Sequence, residues 1–436
     1  MYEESKEARG MTYTGLETYV QQAAFHKTLT RLYGAEGAEK AHSRCMEVME
    51  EFYKTFDRPA QALFSAPGRT EIGGNHTDHQ KGCVLAASVD LDILAAVAPT
   101  QSGIIRVLSQ GYPMIEVDLR ELDPKEEEIN TSAALIRGVA SCMSAMGCDL
   151  RERGLDVYMT STVPKGSGLS SSAAYEVLMG TMLNELFWEG RCTAVELAQI
   201  GQYAENVYFG KPSGLMDQTA SAVGNIIGID FADPAHPKIQ PVAFDFAPCG
   251  YSLCIIDSGA SHSDLTDCYA AITEELKTVC RVFGKEALRD VPEDEFYARL
   301  GEVRQAAGDR AVLRAIHVYE DNKRVRLQLR ALENDNFPAF LEYVKESGDS
   351  SWMYLQNVIP EGRTAHQEVA FALALAKHLL GGHGACRVHG GGFAGTIQAY
   401  VPETLLQRYH TAMERVFGPG SCYVLRLREQ GARQVL

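Results

Sequence analysis

A chain of 436 residues is too long for one hydrophobic core and favours two domains. The net charge of −16 argues against nucleic acid and anionic membranes as partners, although a local site can still bind a small anion. Eleven cysteines, scattered singly and without a Cys-x-x-Cys pair, favour reduced thiols over a disulfide framework or a zinc site.

Residues 1–57 are predicted to form a helical extension packed on the first domain, with amphipathic helices at 16–33 and 36–56. The N-terminus is charged and lacks the apolar core of a signal peptide. Asp90 and Asp92 interrupt the longest apolar run, so no segment is predicted to span a membrane. We therefore expect a cytoplasmic protein.

A polar connection at 66–80 lies between predicted strands at 62–65 and 84–97. It concentrates side chains that can read sugar hydroxyls, namely Arg69, Glu71, Asn75, His76, Asp78 and His79. A sugar site needs fixed donors and acceptors, because a mispaired hydroxyl is costly. The segment therefore predicts a sugar site, with a solvated loop and a His-x-Asp-His metal site as the alternatives.

A hairpin is predicted at 104–119 and a helix at 132–146, before a strand at 154–162 and a helix at 173–187. Strands followed by helices on one side indicate an α+β layer. Gly166 and Gly168 lie in the turn between the last strand and helix, and three serines stand at the helix start. Helix starts carry unpaired N–H groups and partial positive charge, so the turn predicts a phosphate site, with a serine-capped helix as the alternative.

The helix predicted at 193–208 carries Glu205 near its end, and the Gly-Lys-x-Ser segment from Gly210 follows. A P-loop is rejected, because Glu205 stands where its first glycine is required and Pro212 would break the next helix. Asp217 begins a short predicted helix, either as a first-turn residue or as a candidate catalytic carboxylate.

Further strands are predicted at 226–231, 239–246 and 252–256, and helices at 264–283, 294–332 and 364–380. Residues 389–395 satisfy Gly-x-Gly-x-x-Gly, but a strand follows them and no protein-kinase motifs lie downstream. This segment is predicted as a tight glycine loop, either a simple turn or a wall of the phosphate pocket.

Three glycine-rich segments and a candidate carboxylate base point to phosphoryl transfer. The segments at 69–78, 164–174, 214–218 and 390–395 resemble, in order, the motifs of the galactokinase branch of the GHMP kinases. The resemblance implies an α+β fold with a ribosomal S5-like N-domain at 58–215, a ferredoxin-like C-domain at 216–436 and an active site between them. It also implies a kinase that uses ATP and Mg²⁺ to phosphorylate the C1 hydroxyl of galactose or a related monosaccharide, as a monomer or weak homodimer.

By this resemblance, Asp217 accepts or orients the proton of the sugar hydroxyl, and Arg69 stabilises it and the developing charge. Magnesium is assigned to Glu205 and Ser172, with Ser171 as the close second. Substrate binding is assigned to Glu71, Asn75, His76, Asp78, Gly214, Tyr269 and Gly391. ATP binding is assigned to Lys165, Gly166, Ser167, Gly168, Leu169, Ser170, Ser171, Ser172 and Ala173.

Three positions depart from the family's sugar motif, since Glu71 replaces asparagine, Asn75 replaces glutamate and His79 replaces tyrosine. In the family, position 75 contacts the C6 side of the sugar, and an amide there can donate as well as accept. Galacturonate, arabinose and N-acetylgalactosamine therefore stay open as substrates. A non-catalytic sugar sensor on the same fold is a further alternative, but Asp217, Ser172 and Glu205 are all retained, which favours the enzyme. The His76–Asp78 pair and Tyr269 disfavour a non-sugar alcohol.

Overall fold

The computed structural model describes residues 16, 19–164, 166, 168–211, 213–260, 265–393 and 395–436. Its strands are β1 (Ala62–Gly73), β2 (Cys83–Thr100), β3 (Ile104–Ser109), β4 (Ile115–Asp118), β5 (Gly154–Ser161), β6 (Ile226–Asp230), β7 (Lys238–Val242), β8 (Tyr251–Asp257), β9 (Ala385–Val388), β10 (Thr396–Pro402), β11 (Cys422–Leu425) and β12 (Arg433–Gln434). Its α-helices are α1 (Ala23–Phe56), α2 (Ser132–Ala145), α3 (Ser171–Phe187), α4 (Ala194–Tyr203), α5 (Met216–Val223), α6 (Thr266–Val282), α7 (Glu293–Ala298), α8 (Leu300–Ala307), α9 (Asp309–Glu333), α10 (Phe337–Ser350), α11 (Glu368–Leu380) and α12 (Glu403–Phe417).

The larger sheet has the order β12-β1-β2-β5-β3-β4, and β6 joins it on β2 and carries β7. Strand β2 is long enough to pair with two strands on one edge: its first residues pair with β6 and its last with β5. Only β3 and β5 run parallel among the paired strands of the described chain. Strands β6 and β7, which follow the predicted domain boundary at 215, thus belong to this first sheet.

Both faces of the larger sheet are buried. Ile93, Ala95 and Val97 of β2 face α2 and α3, whereas the alternate residues Leu94 and Ala96 face α1. This alternation follows from the two-residue period of a strand, and it explains why the run from 84 to 97 is apolar almost throughout. Helix α1 has a break at Gly34, where φ is 74°, which confirms two helical halves. Residues 17 and 18 of the predicted first half lie outside the described residues.

The smaller sheet is antiparallel, with the order β11-β8-β10-β9. Helices α11 and α12 cover one face. The other face shares a core with β1, β2, β6, α9 and α10, in which Phe337, Phe340 and Tyr400 pack against one another. The fold is therefore α+β, with two sheets joined through a common core. In the part of the chain described, no helix combines the length and apolarity needed to cross a membrane.

Several predicted boundaries were wrong. Strand β1 continues through the first half of the sugar motif to Gly73, because Thr70 and Glu71 pair with β2 across two register shifts. The long helix predicted at 294–332 is three helices, and Gly308 separates the last two with a φ of 84°. Helix α10, which contributes Phe337 and Phe340 to the core, was missed. Strand β7 ends four residues before its predicted end at 246.

Candidate active site

An arginine–carboxylate pair lies where three of the sequence motifs meet. Arg69, buried on β1, donates from Nε to Oδ1 of Asp217 at 2.6 Å and from Nη2 to Oδ2 at 2.5 Å. Its Nη1 donates to the carbonyl of Gly168, and the hydroxyl of Ser170 donates to Asp217 Oδ2 at 2.7 Å. This bidentate geometry fixes the carboxylate from two sides and brings the phosphate turn against the sugar motif.

Asp217 is held as a carboxylate. Burial raises its pKa, but the charge of Arg69 and the hydrogen bonds from Arg69 and Ser170 outweigh burial and lower the pKa below the usual aspartate value. Its side chain is still 28% exposed, so a ligand can reach it. A carboxylate of low basicity is suited to accept a hydrogen bond from an incoming hydroxyl and to orient it.

The phosphate turn runs from the end of β5 to the start of α3. Gly166 and Gly168 have φ values of 74° and 72°, and Ser170 has 56°, so the backbone repeatedly takes the left-handed conformation. A Cβ at Gly168 would lie 3.1 Å from Nδ1 of His389, which explains why a glycine is needed at this approach. Helix α3 begins at Ser171, two residues earlier than predicted. The predicted ligands Lys165 and Ser167 lie outside the described residues.

Two of the predicted nucleotide-site residues, Leu169 and Ala173, have fully buried side chains. The carbonyl of Leu169 accepts a hydrogen bond of 3.0 Å from the N–H of Arg69. Such residues can contact an anion through backbone N–H groups and not through their side chains. The hydroxyls of Ser170 and Ser172 are engaged by Asp217 and Glu205, so the phosphate site remains a prediction that depends mainly on backbone N–H groups.

The predicted metal ligands lie together. The hydroxyl of Ser172 donates to Oε1 of Glu205 at 3.1 Å, and the Nζ of Lys211 contacts the same oxygen at 2.9 Å. One hydroxyl and one buried carboxylate are oxygen ligands of the kind that Mg²⁺ prefers. The carboxylate already forms an ion pair with the ammonium of Lys211. Ser171 has no described contact with Glu205. Groups of three or more His, Cys, Asp or Glu side chains arranged for a metal do not occur among the described residues, so two ligands would leave the remaining positions to phosphate and water.

Gln218 links Glu205 to a second buried carboxyl group. Its Nε2 donates to Glu205 Oε2 at 3.0 Å and to Glu176 Oε2 at 2.9 Å. Burial and, next, the charge of Glu205 raise the pKa of Glu176 well above its usual value. Gln218 therefore bridges the two carboxyl groups and holds the orientation of Glu205.

Two of the three changed residues of the sugar motif, Glu71 and Asn75, are hydrogen-bonded to protein partners. Asn75, fully buried, donates from Nδ2 to Glu71 Oε1 at 3.0 Å and to the Gly390 carbonyl at 2.6 Å, and it accepts from Asn357 at 2.7 Å. Glu71 forms a buried ion pair of 2.6 Å with Arg387. Burial raises the pKa of Glu71 to about 7, against the lowering effects of Arg387 and Asn75.

Two side chains of helix α9 bind the backbone of Asn75. The N–H of Asn75 donates to Asp321 at 2.9 Å, and its carbonyl lies 2.9 Å from Nε2 of His317. Because a carbonyl can only accept, Nε2 carries the proton, and Nδ1 accepts from the hydroxyl of Ser350 at 2.8 Å. The next residue, His76, takes a φ of 59°, so this clamp maintains a backbone conformation that is rare for histidine.

Of the other predicted substrate residues, His76 and Tyr269 contact the glycine loop at 390–392, whereas Asp78 and Gly214 lie against each other. Nε2 of His76 lies 3.0 Å from the Gly391 carbonyl, and the hydroxyl of Tyr269 donates to the Gly392 carbonyl at 2.8 Å. A Cβ at Gly391 would lie 2.7 Å from the Tyr269 ring, and a Cβ at Gly214 would lie 2.5 Å from Asp78 Oδ2. His79, by contrast, is exposed.

Sequence reasoning missed several residues of this site. Gln218 and Lys211 lie inside segments that the sequence analysis considered, and the Gly-Lys-x-Ser segment contributes the Lys211 side chain to this site although it is not a P-loop. His317, Asp321, Asn357 and Arg387 lie on α9, after α10 and on β9, and no local pattern marks them. They became recognisable through contacts with Glu71 and Asn75.

Comparisons with known proteins identify the fold and two of its sequence segments. Residues 134–225 match the GHMP kinases N terminal domain, and residues 50–99 match the galactokinase galactose-binding signature. The mevalonate kinase of Methanococcus jannaschii is similar in fold, with a TM-score of 0.59 at 13% identity over 84% of this chain and 98% of that one. The fold and the matched segments are those of a GHMP kinase.

Curated relatives narrow the assignment. The galactokinase of Streptomyces coelicolor is 31% identical over 398 residues, which cover 89% of this chain and 98% of the relative. The galactokinase of Actinobacillus pleuropneumoniae serotype 5b is 33% identical over 346 residues, covering 79% and 86%. The structure of Lactococcus lactis galactokinase complexed with galactose matches with a TM-score of 0.75 and 25% identity, covering 89% and 99%. The chain belongs to the galactokinase family.

Proposed function

We propose that this protein transfers the γ-phosphoryl group of ATP to the C1 hydroxyl of galactose. The observation that carries the proposal is the pairing of Arg69 with Asp217 at the meeting point of the phosphate turn and the sugar motif. A loose phosphoryl-transfer transition state needs positioning and charge stabilisation more than covalent chemistry. The carboxylate of Asp217 orients the sugar hydroxyl, while Arg69 keeps Asp217 ionised and stabilises charge that develops beside it.

Ser172 and Glu205 would hold Mg²⁺, which when bound neutralises phosphate charge. The backbone N–H groups at the start of α3 and in the phosphate turn bind the ATP phosphates, assisted by the hydroxyl of Ser171, while the hydroxyl of Ser170 stays on Asp217. His76, Asp78 and Tyr269, together with Gly214 and Gly391, line the sugar side. We propose a cytoplasmic monomer or weak homodimer with two domains, and the pairing of β6 with β2 and of β7 with β6 favours a boundary after β7.

The substitutions at 71 and 75 support galactose over an acidic sugar. Relative to the family motif, the amide and the carboxylate have exchanged positions, and in this chain they lie 3.0 Å apart beside Arg387. The pocket therefore keeps one carboxylate, whose charge Arg387 balances, and this buried pair offers no unpaired cation to the carboxylate of galacturonate. The Nδ2 of Asn75 is already used by Glu71 and Gly390, so it is not a free donor for an anionic group.

Turnover of a sugar panel tests the proposal. ATP consumption with Mg²⁺ should be faster on galactose than on galacturonate, arabinose or N-acetylgalactosamine by about a hundredfold or more, because a site built for hydroxyls rejects analogues that leave its polar groups unpaired. The Asp217→Ala variant is the negative control. Preferred turnover of another sugar would refute galactose as the substrate, and galactose binding without any turnover would indicate a sensor.

The exchange at 71 and 75 predicts energetic coupling. Asn75→Glu alone places a second carboxylate beside Glu71, and Glu71→Asn alone leaves Arg387 buried without its partner. Each single variant should lose both stability and galactose turnover. The double variant restores one carboxylate and one amide, so a double-mutant cycle of urea denaturation should give a coupling free energy of about 1–3 kcal/mol. Additive losses would show that the two positions act independently.

A further inference from the structure

Lys211 contacts Glu205, the carboxylate that is assigned to the metal ion. Its Nζ lies 2.9 Å from Glu205 Oε1, the same oxygen that accepts from the hydroxyl of Ser172. Its backbone N–H also donates to the Glu205 carbonyl at 3.1 Å, so the base of the lysine is fixed relative to the carboxylate. The ammonium is therefore a specific partner of Glu205 and not a passing surface charge.

The two partners differ sharply in exposure. The side chain of Glu205 is 4% exposed, whereas that of Lys211 is 57% exposed. A buried carboxylate needs a compensating charge, and the hydrogen bond from Gln218 to Oε2 is a neutral one. Lys211 supplies that charge from a flexible, solvated stem, which can swing away at little cost in buried surface.

We propose that Lys211 is an internal counter-ion of the magnesium site, which balances Glu205 in the empty enzyme and is displaced when Mg²⁺ binds. Ser172 and Lys211 already use both lone pairs of Glu205 Oε1, so a metal ion binds this oxygen at the expense of one of them, and the charge of the ammonium makes Lys211 the one that competes. In the absence of metal, the lysine balances the charge of the buried carboxylate. It also weakens metal binding to the nucleotide-free enzyme. This inference rests on the proposed role of Glu205 as a magnesium ligand.

Metal affinity of lysine variants tests the inference without reference to turnover. Mn²⁺ binding to the nucleotide-free protein, followed by electron paramagnetic resonance, should be about tenfold tighter in Lys211→Gln, because the competing cation is gone. Lys211→Arg should keep weak binding, since a guanidinium holds the carboxylate at least as firmly. Lys377→Gln removes an exposed lysine that pairs with Asp349, and should leave Mn²⁺ affinity unchanged.

Thermal melting gives a second readout. Without metal, Lys211→Gln should have a lower Tm than the wild type. Saturating Mg²⁺ should raise the Tm of this variant by more than it raises the Tm of the wild type. Unchanged Mn²⁺ affinity in Lys211→Gln would overturn the inference, and a lower Tm alone would mark an ordinary ion pair. If Glu205→Gln binds Mn²⁺ as tightly as the wild type, both the metal assignment and the role of Lys211 are refuted. Turnover in the sugar panel tests the kinase proposal separately.

Discussion

Replacing Asp217 with asparagine should reduce the kcat for galactose phosphorylation by about a thousandfold or more, in line with the loss of a positioned acid–base group. Asparagine preserves the size of the side chain but removes the charge that pairs with Arg69 through two hydrogen bonds. The sugar hydroxyl then loses its ionised acceptor, and the guanidinium loses its partner. Coupled measurement of ATP consumption gives kcat, and calorimetry gives the galactose affinity.

Ser170→Ala is the graded control for this variant. It removes a single hydrogen bond of 2.7 Å to Asp217 Oδ2 and leaves the ion pair intact, so we expect a loss of about tenfold. Galactose affinity in Asp217→Asn should fall much less than kcat, because the substituted group acts mainly in the transition state. An Asp217→Asn enzyme with near wild-type kcat would refute the role proposed for this carboxylate.

Replacing Asp92 with alanine should lower the free energy of unfolding by about 3–5 kcal/mol, the usual cost of removing one partner of a buried ion pair. Asp92 lies fully buried on β2 and accepts from Arg44 of α1 at 2.5 Å and from Tyr33 at 2.5 Å. It also forms an ion pair of 3.3 Å with Arg428, which is itself fully buried. The variant leaves the guanidinium of Arg428 in the core without this carboxylate.

Urea denaturation measures the loss, with Asp118→Ala as the matched control. Asp118 pairs with Arg120 at the surface, so its removal should cost about 1 kcal/mol or less. Equal destabilisation of the two variants would contradict the structural role of Asp92.

The pH dependence of stability gives a second test of the role of Asp92. Burial raises its pKa, but the charges of Arg44 and Arg428 and the bonds from Ser65 and Tyr33 lower it below the usual value. The pKa of Asp92 is lower in the folded state than in the unfolded state, so its ionised form stabilises the fold. This stabilisation is complete above about pH 4 and is lost as the pH falls through the folded-state pKa. The wild type should therefore lose stability below about pH 4 more steeply than Asp92→Ala.

Local signals in the sequence predicted much of the fold. The hairpin at 104–119, the strand and helix around the phosphate turn and the short helix that begins beside Asp217 were all confirmed. The predicted end of β1 was wrong because the residues that continue the strand are polar and resemble a loop. Thr70 and Glu71 are nevertheless buried in the sheet. The single helix predicted at 294–332 was wrong because the helix end at Gly308, which has a φ of 84°, was not recognised from the sequence.

The sequence by itself determined the family resemblance, the phosphate turn and the set of candidate side chains. Such features are local, because a left-handed glycine or a helix start depends on a few neighbouring residues. The tertiary structure alone decided that Arg69 meets Asp217, 148 residues away, and that Arg387 meets Glu71, 316 residues away. Contacts over such distances depend on how two sheets pack, and packing is set by the whole core and leaves no spacing pattern in the chain.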